Sequence, residues 1–249
     1  MRVSRKKRGS ALREANWRDV IRELESVADL KRAESSAWFF KTGKGQYGEG
    51  DRFLGVPVLL QRKIAHRYRG LSLAGIKHLL EAPIHEQRFV GLEILVAQYE
   101  RGDGAQRDQI FRFYLRNARR ANNWDLVDTS APYIVGEHLK SRPRRVLDRL
   151  AASKLVWERR IAIVSTLALI KSGEIKVTFR IAERLLSDEH DLIHKAVGWA
   201  LRETGKVSRP DLLRFLRTHY KSIPRTALRY AIERLPAARR KRVLAGNFS

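Results

Sequence analysis

The sequence predicts an all-α chain: an α-solenoid of HEAT-like antiparallel helix pairs whose matching faces form a concave, positively charged groove. Three observations predict it. Apolar residues recur at spacings of three and four almost throughout, with hardly any strict alternation, which is the period of helices rather than strands. Proline and glycine fall between the apolar stretches, where they stop a helix or enter its first turn. Finally, Arg88, Arg160 and Lys195 each stand at a helix opening ahead of an apolar run. The first two lie 72 residues apart and the last two 35, and half of 72 beyond Arg88 lands on Trp124, near another helix start. A period of about 36 with two helices per unit marks a stacked-pair solenoid.

Twelve helices are predicted in order, over about 14–33, 57–68, 73–81, 84–101, 106–120, 123–139, 143–153, 156–171, 175–187, 191–204, 209–220 and 224–244. Pro83 separates the third from the fourth, and Gly102 and Gly104 end the fourth. Pro143 opens the seventh, Gly173 ends the eighth, Gly205 and Pro210 separate the tenth from the eleventh, and Pro224 opens the last. The linkers are short, so consecutive helices are expected to lie antiparallel. One domain over 14–244 results, between a basic tail at 1–13 and a C-terminal tail at 245–249.

Charge narrows the partners. Within 249 residues, 51 lysines and arginines face 27 acids, a formal net charge of +24. Such a field opposes compaction and draws polyanions, so nucleic acid is the first partner to expect and an anionic membrane surface the second. An apolar content of 43% argues against a disordered basic tail protein. With no cysteine, disulfides, thiolate zinc sites, iron–sulfur clusters and cysteine nucleophiles are excluded together. The longest uncharged apolar run, Ile161 to Ile170, is too short to span a bilayer. Without a signal-peptide apolar core, the expected location is cytoplasmic and nucleoid-associated in a bacterium, or nuclear in a eukaryote. The runs Arg5-Lys6-Lys7-Arg8 and Arg239-Arg240-Lys241-Arg242 read as solvated tails or nucleic-acid arms, and Arg112, Arg116, Arg119 and Arg120 form a cationic stripe at helical spacing.

Two motifs are weak. Gly43-Lys44-Gly45-Gln46-Tyr47-Gly48 fits the dinucleotide pattern G-x-G-x-x-G, but neither the strand before it nor the helix opening on its third glycine is in place. A mobile loop carrying Lys41, Lys44 and Tyr47 to a phosphate backbone is the better reading. His190 and His194 would share a helical face, yet only Glu189 or Asp191 is local as a third metal ligand. The expectation is that Ser187-Asp188-Glu189 caps the helix, the histidines are exposed, and no metal or cofactor is held.

The informative segment is Asn122-Asn123-Trp124-Asp125-Leu126-Val127-Asp128. On a helical wheel Leu126, Val127, Ala131, Ile134 and Val135 share the apolar arc, with Trp124 at its edge and Asp128 just outside, one turn on. Taken alone, the segment is better explained by Trp124 as ordinary core, with Asp125 and Asp128 as first-turn acids favoured by the helix dipole. Pro132 removes an N–H, so either the helix kinks or Ser130 caps a new one. Trp199 is also an edge tryptophan, with Lys195 and Arg202 immediately beyond it. Trp124, Asp128, Arg160 and Trp199 are therefore expected to converge on one basic surface, where a carboxylate opposes phosphate binding and so needs another purpose.

Four blocks carry a resemblance: Phe39-Phe40-Lys41 with Arg52-Phe53-Leu54-Gly55-Val56; Trp124-Asp125-x-Val127-Asp128; Trp157-x-x-Arg160; and Lys195-Ala196-x-Gly198-Trp199-x-Leu201-Arg202-Glu203. In this order and spacing, from about Trp38 to Arg229, the chain resembles the AlkD-like family of DNA alkylation repair proteins, which are HEAT-repeat DNA glycosylases. The resemblance implies that Asp128 is the catalytic carboxylate and that Trp124 and Trp199 hold the lesion-bearing deoxyribose. It implies phosphate contacts for Arg160 and Arg202, a DNA-binding role for Lys195 and Lys41, and an aromatic near the DNA at Phe39. The implied substrate is duplex DNA bearing cationic N3- or N7-alkylated purines, cleaved by a monomer without membrane, metal or cofactor. The alternative is a non-enzymatic solenoid scaffold for DNA structures or RNA, which explains the charge but not the Trp124, Asp128 and Trp199 set.

Overall fold

The computed structural model describes residues 16–248. Among them are fourteen α-helices and no strand beyond one isolated bridge, Arg52 to Ile84. In chain order these are α1 (Trp17–Ser26), α2 (Leu30–Phe39), α3 (Val58–Arg67), α4 (Leu73–Glu81), α5 (His85–Arg101), α6 (Gly104–Arg116) and α7 (Trp124–Asp128). A π-helical turn (Pro132–Gly136) precedes α8 (Arg145–Ala151), α9 (Val156–Lys171), α10 (Lys176–Arg184), α11 (Asp191–Val207), α12 (Arg209–Thr218), α13 (Arg225–Ala231) and α14 (Ala237–Leu244).

The helices stack in two layers. One layer runs α3, α5, α7 with the π turn, α9, α11 and α13, each touching the next. Their first residues fall 27, 39, 32, 35 and 34 apart, so the repeat seen in the basic positions is the stacking period of this layer. Helices α4, α6, α8, α10 and α12 flank it on the other side. The product is an α-solenoid of helix pairs. Helices α5 and α9 sit between neighbours on several sides and are buried nearly all round, which is why their sequences carry no clean polar face. Three of the basic repeat positions, Arg88, Arg160 and Lys195, lie on α5, α9 and α11 of the same layer.

Several boundaries differ from the sequence expectation. The segment 14–33 is two helices, because Asp29 accepts from Arg32 N at 3.1 Å and caps α2 while its own N–H donates to Leu54 O. The segment 224–244 is also two, divided at Pro236, which cannot continue α13 and instead opens α14. Helix α6 starts earlier than expected, on a reciprocal capping box between Asp103 and Gln106, and ends at Arg116 before a short 3-10 turn over 118–120. The run Arg5-Lys6-Lys7-Arg8 lies outside the described residues.

The glycine-rich segment after α2 forms turns, with no strand before it and no helix opening on Gly48, so the dinucleotide reading falls. Its far end is built around a buried carboxylate. Glu86 accepts from the backbone N–H of Leu54, Gly55 and Val56, with Gly55 the shortest at 2.8 Å. Gly55 sits at φ +77°, and a Cβ there would stand 2.1 Å from Asp29 O. Only glycine lets the chain pass that close to the start of α2.

Candidate active site

Helix α7 has five residues, too short to hold itself together in water, so its orientation must come from its surroundings. Asn123 caps it, with Oδ1 accepting from Trp124 N at 2.8 Å. At the other end the backbone stays helical through Thr129 and Ala131 and then widens into the π turn, since Pro132 offers no N–H. Of the two expectations for Pro132 the distorted continuation is the observed one. Ser130 caps nothing; its hydroxyl donates back to Leu126 O at 2.6 Å.

Asp128, the last residue of α7, meets Arg160 of α9 in a bidentate pair: Nε to Oδ1 at 2.9 Å and Nη2 to Oδ2 at 2.7 Å. The third guanidinium nitrogen, Nη1, donates to Leu192 O of α11 at 2.7 Å, so one side chain ties three stacked elements. The Arg160 side chain is 6% exposed and that of Asp128 20%. Arg160 is thus a buried partner of Asp128. Burial pushes the Asp128 carboxyl above its ordinary range, with the Arg160 charge and hydrogen bonds pulling the other way.

Two clefts meet at Asp128. The larger, about 780 Å³, has Phe39, Trp124, Asp128 and Tyr133 in its wall. The smaller, about 360 Å³, has Asp128, Tyr133, Trp199, Lys171 and Lys206. Asp128 and Tyr133 are common to both, with one tryptophan on either side. Trp124 and Trp199 thus stand on either side of Asp128, both half-buried against the core, with Arg160 buried beneath it.

The remaining candidates are more dispersed. Phe39 is exposed, with its ring edge-on to Trp124 at 6.0 Å. Lys41 takes a left-handed φ of 56° and lays its ammonium 4.5 Å over the Trp38 ring. Lys195 pairs with Asp191 at 2.7 Å, and that hydrogen bond raises its pKa. Arg202 is engaged by Glu203 and Glu233. Neither Lys195 nor Arg202 lines the two clefts at Asp128. The histidine expectation also needs correcting. His190 itself caps α11, Nδ1 accepting from Leu192 N at 3.2 Å, and His194 Nε2 meets Asp188 O at 2.5 Å, so both rings are partly buried. Asp188 is taken by Arg159, and no group of three or more metal-ligating side chains occurs among the described residues.

Sequence reasoning missed the groups behind Trp124. His85 is 3% exposed and lies between two carboxylates, Nδ1 at 2.9 Å from Asp51 Oδ2 and Nε2 at 2.8 Å from Asp125 Oδ2. Burial works against its charge, but the hydrogen bonds and charges of Asp125 and Asp51 prevail and raise the imidazole to about 9. Asp51 also pairs with Arg88 and accepts from Asn123 Nδ2 at 3.3 Å. Burial raises the Asp51 carboxyl, and these partners more than reverse the effect, leaving its pKa lowered.

Comparison with known proteins places the chain in a family and a fold. No curated protein sequence matches the chain significantly. A solved structure described as a predicted DNA alkylation repair enzyme from Enterococcus faecalis superposes with a TM-score of 0.66, covering 84% of this chain and 97% of that one. At 16% identity that likeness shows the fold. The family described as DNA alkylation repair enzyme matches residues 20–235, and the chain belongs to that family.

Proposed function

We propose that the protein is a DNA glycosylase that hydrolyses the N-glycosidic bond of cationic N3- and N7-alkylated purines, such as 3-methyladenine and 7-methylguanine, in duplex DNA. The observation that carries this reading is Asp128 itself: a partly exposed carboxylate at the junction of two clefts, between Trp124 and Trp199, in a chain of net charge +24. A carboxylate placed there opposes phosphate binding, which supports a chemical use.

The chemistry follows from the substrate class. A purine alkylated at N3 or N7 already carries positive charge and departs neutral, so no general acid is required. The sugar left behind develops oxocarbenium-like charge. Asp128, held in one orientation by two hydrogen bonds from Arg160, would stabilise that charge and orient the attacking water. Its raised pKa makes it a better proton acceptor than an ordinary aspartate. Trp124 and Trp199 offer ring faces to the cationic sugar and base, each contact worth about 0.5–2 kcal/mol. Lys41, Lys195, Arg202 and Phe39 are the proposed contacts to the duplex, with Lys195 and Arg202 exchanging Asp191 and Glu233 for phosphate when DNA binds.

The test is incubation of the protein with methylated duplex DNA, measuring free 3-methyladenine and 7-methylguanine. Asp128→Asn should bind the duplex normally and release base about a hundred- to a thousandfold more slowly. Full release by that variant overturns the assignment of Asp128. Salt-sensitive binding by the wild type with no release favours a DNA-binding scaffold instead.

A further inference from the structure

Asp128 and Trp124 sit on a one-turn helix, and the structure shows what holds its first turn. Asn123, Trp124 and Asp125 are each attached to one buried cluster. Asn123 caps α7 and is itself gripped by Asp51. Asp125 has a single hydrogen-bonded oxygen, bound by His85; its Oδ1 is buried without a partner. The Trp124 indole stacks on Phe40 at 5.4 Å, and Phe40 lies 4.9 Å from the His85 ring. Phe53 stacks on both, at 5.1 Å from Phe40 and 4.6 Å from His85. His85 is the one residue that belongs to both the polar chain and the ring stack.

We propose that His85 is a positioning residue: bridging Asp51 of the loop and Asp125 of α7, it sets the angle at which Trp124 and, one turn on, Asp128 face the substrate. This rests on the glycosylase reading above. Only a ring donating from both nitrogens joins Asp51 to Asp125, so the bridge needs the imidazolium. The charged groups around it are Asp51 from the loop, Asp125 from α7, and Arg88 and Glu86 on its own helix. Arg88 is committed to Asp51 and Glu86 to the Leu54–Val56 amides. The end of α2 contributes Phe40, the residue just after the helix, and α2 itself brings Arg32 across a small cavity also lined by Gln61. Above about pH 9 the proton leaves, one of the two bonds becomes a lone-pair repulsion, and α7 loses its fixed angle.

The experiment pairs single-turnover excision with tryptophan emission, using His85→Gln, whose amide reaches one carboxylate but not both. The excision rate should fall roughly ten- to a hundredfold with DNA affinity unchanged, the cost of an ångström-scale misplacement. In the wild type, emission should change through a transition near pH 9, and that transition should vanish in His85→Gln and in Trp124→Phe. A His85→Gln protein that excises at the wild-type rate, or keeps the emission transition, overturns the proposal. Should His85→Gln fail to fold, Asp125→Asn leaves the His85–Asp51–Arg88 cluster in place and must show the same slower excision. If the wild type releases no base, the glycosylase reading fails while the emission transition still decides whether His85 sets Trp124.

Discussion

Trp124 and Trp199 flank the same carboxylate, yet they are held by opposite means. Trp199 rides on α11, seventeen residues long and buried along one face, where a long helix packed on both sides fixes a side chain without help from its neighbours. Gly198, the residue before it, brings α11 so near α13 that a Cβ would stand 2.4 Å from Tyr230 Cβ and 2.6 Å from Ala227 O. Trp124 rides on a five-residue helix with no such reserve, and its place is set by Asn123, Asp51, His85 and Asp125. One tryptophan depends on apolar packing and the other on a buried polar cluster. The two should therefore respond differently to pH and substitution, although each lines a cleft that includes Asp128.

The largest effect should come from the residue that joins the two halves. Arg160 bonds Asp128 on α7 and Leu192 O on α11, so Arg160→Met both leaves the largely buried Asp128 carboxylate without its partner and cuts the tie. Removing one member of a buried pair costs about 3–5 kcal/mol. Urea unfolding should show a loss of that size, and excision should fall further than stability explains, because Asp128 without Arg160 is driven still more to its neutral form. A loss under about 1 kcal/mol would place Arg160 at the DNA and not beneath Asp128.

Gly198→Ala is the next break, confined to the Trp199 side. An added methyl must push α13 away from α11, at about 1–3 kcal/mol of overpacking set against roughly 1 kcal/mol gained in helix propensity. Lower stability is expected, with slower excision as Trp199 shifts, while the pH 9 emission transition that belongs to Trp124 stays. Loss of that transition would mean the two sides are not independent.

How far the sequence shows this arrangement depends on the range of the interaction. The stacking period is legible because Arg88, Arg160 and Lys195 mark one layer directly, and Trp124 and Trp199 are legible because each sits at the edge of an apolar arc. The breaks at Asp29 and Pro236 were visible residues whose effect was outweighed by apolar periodicity running across them. The partner of Arg160 was not legible, since it lies 32 residues away and meets Asp128 only once α7 stacks on α9. His85 was hidden twice over: its partners are 34 and 40 residues distant, and buried charges are rare enough that no pattern announces them.

The smallest effect gives the cleanest contrast, because each tryptophan helix has one side-chain cap that can be removed alone. Asn123 caps α7 and His190 caps α11. Replacing either with alanine should cost about 1 kcal/mol of stability in urea unfolding. Excision should part the two variants. Loss of its cap frays only the first turn of α11, and Trp199 lies two turns further in, so His190→Ala should cleave at the wild-type rate. For α7 the first turn is the whole helix, and Trp124 is its first residue, so Asn123→Ala should cleave several-fold more slowly at equal DNA affinity. Equal excision by both would mean that α7 is held from Asp128 and Arg160 alone, and that the cluster around His85 supports the fold without aiming Trp124.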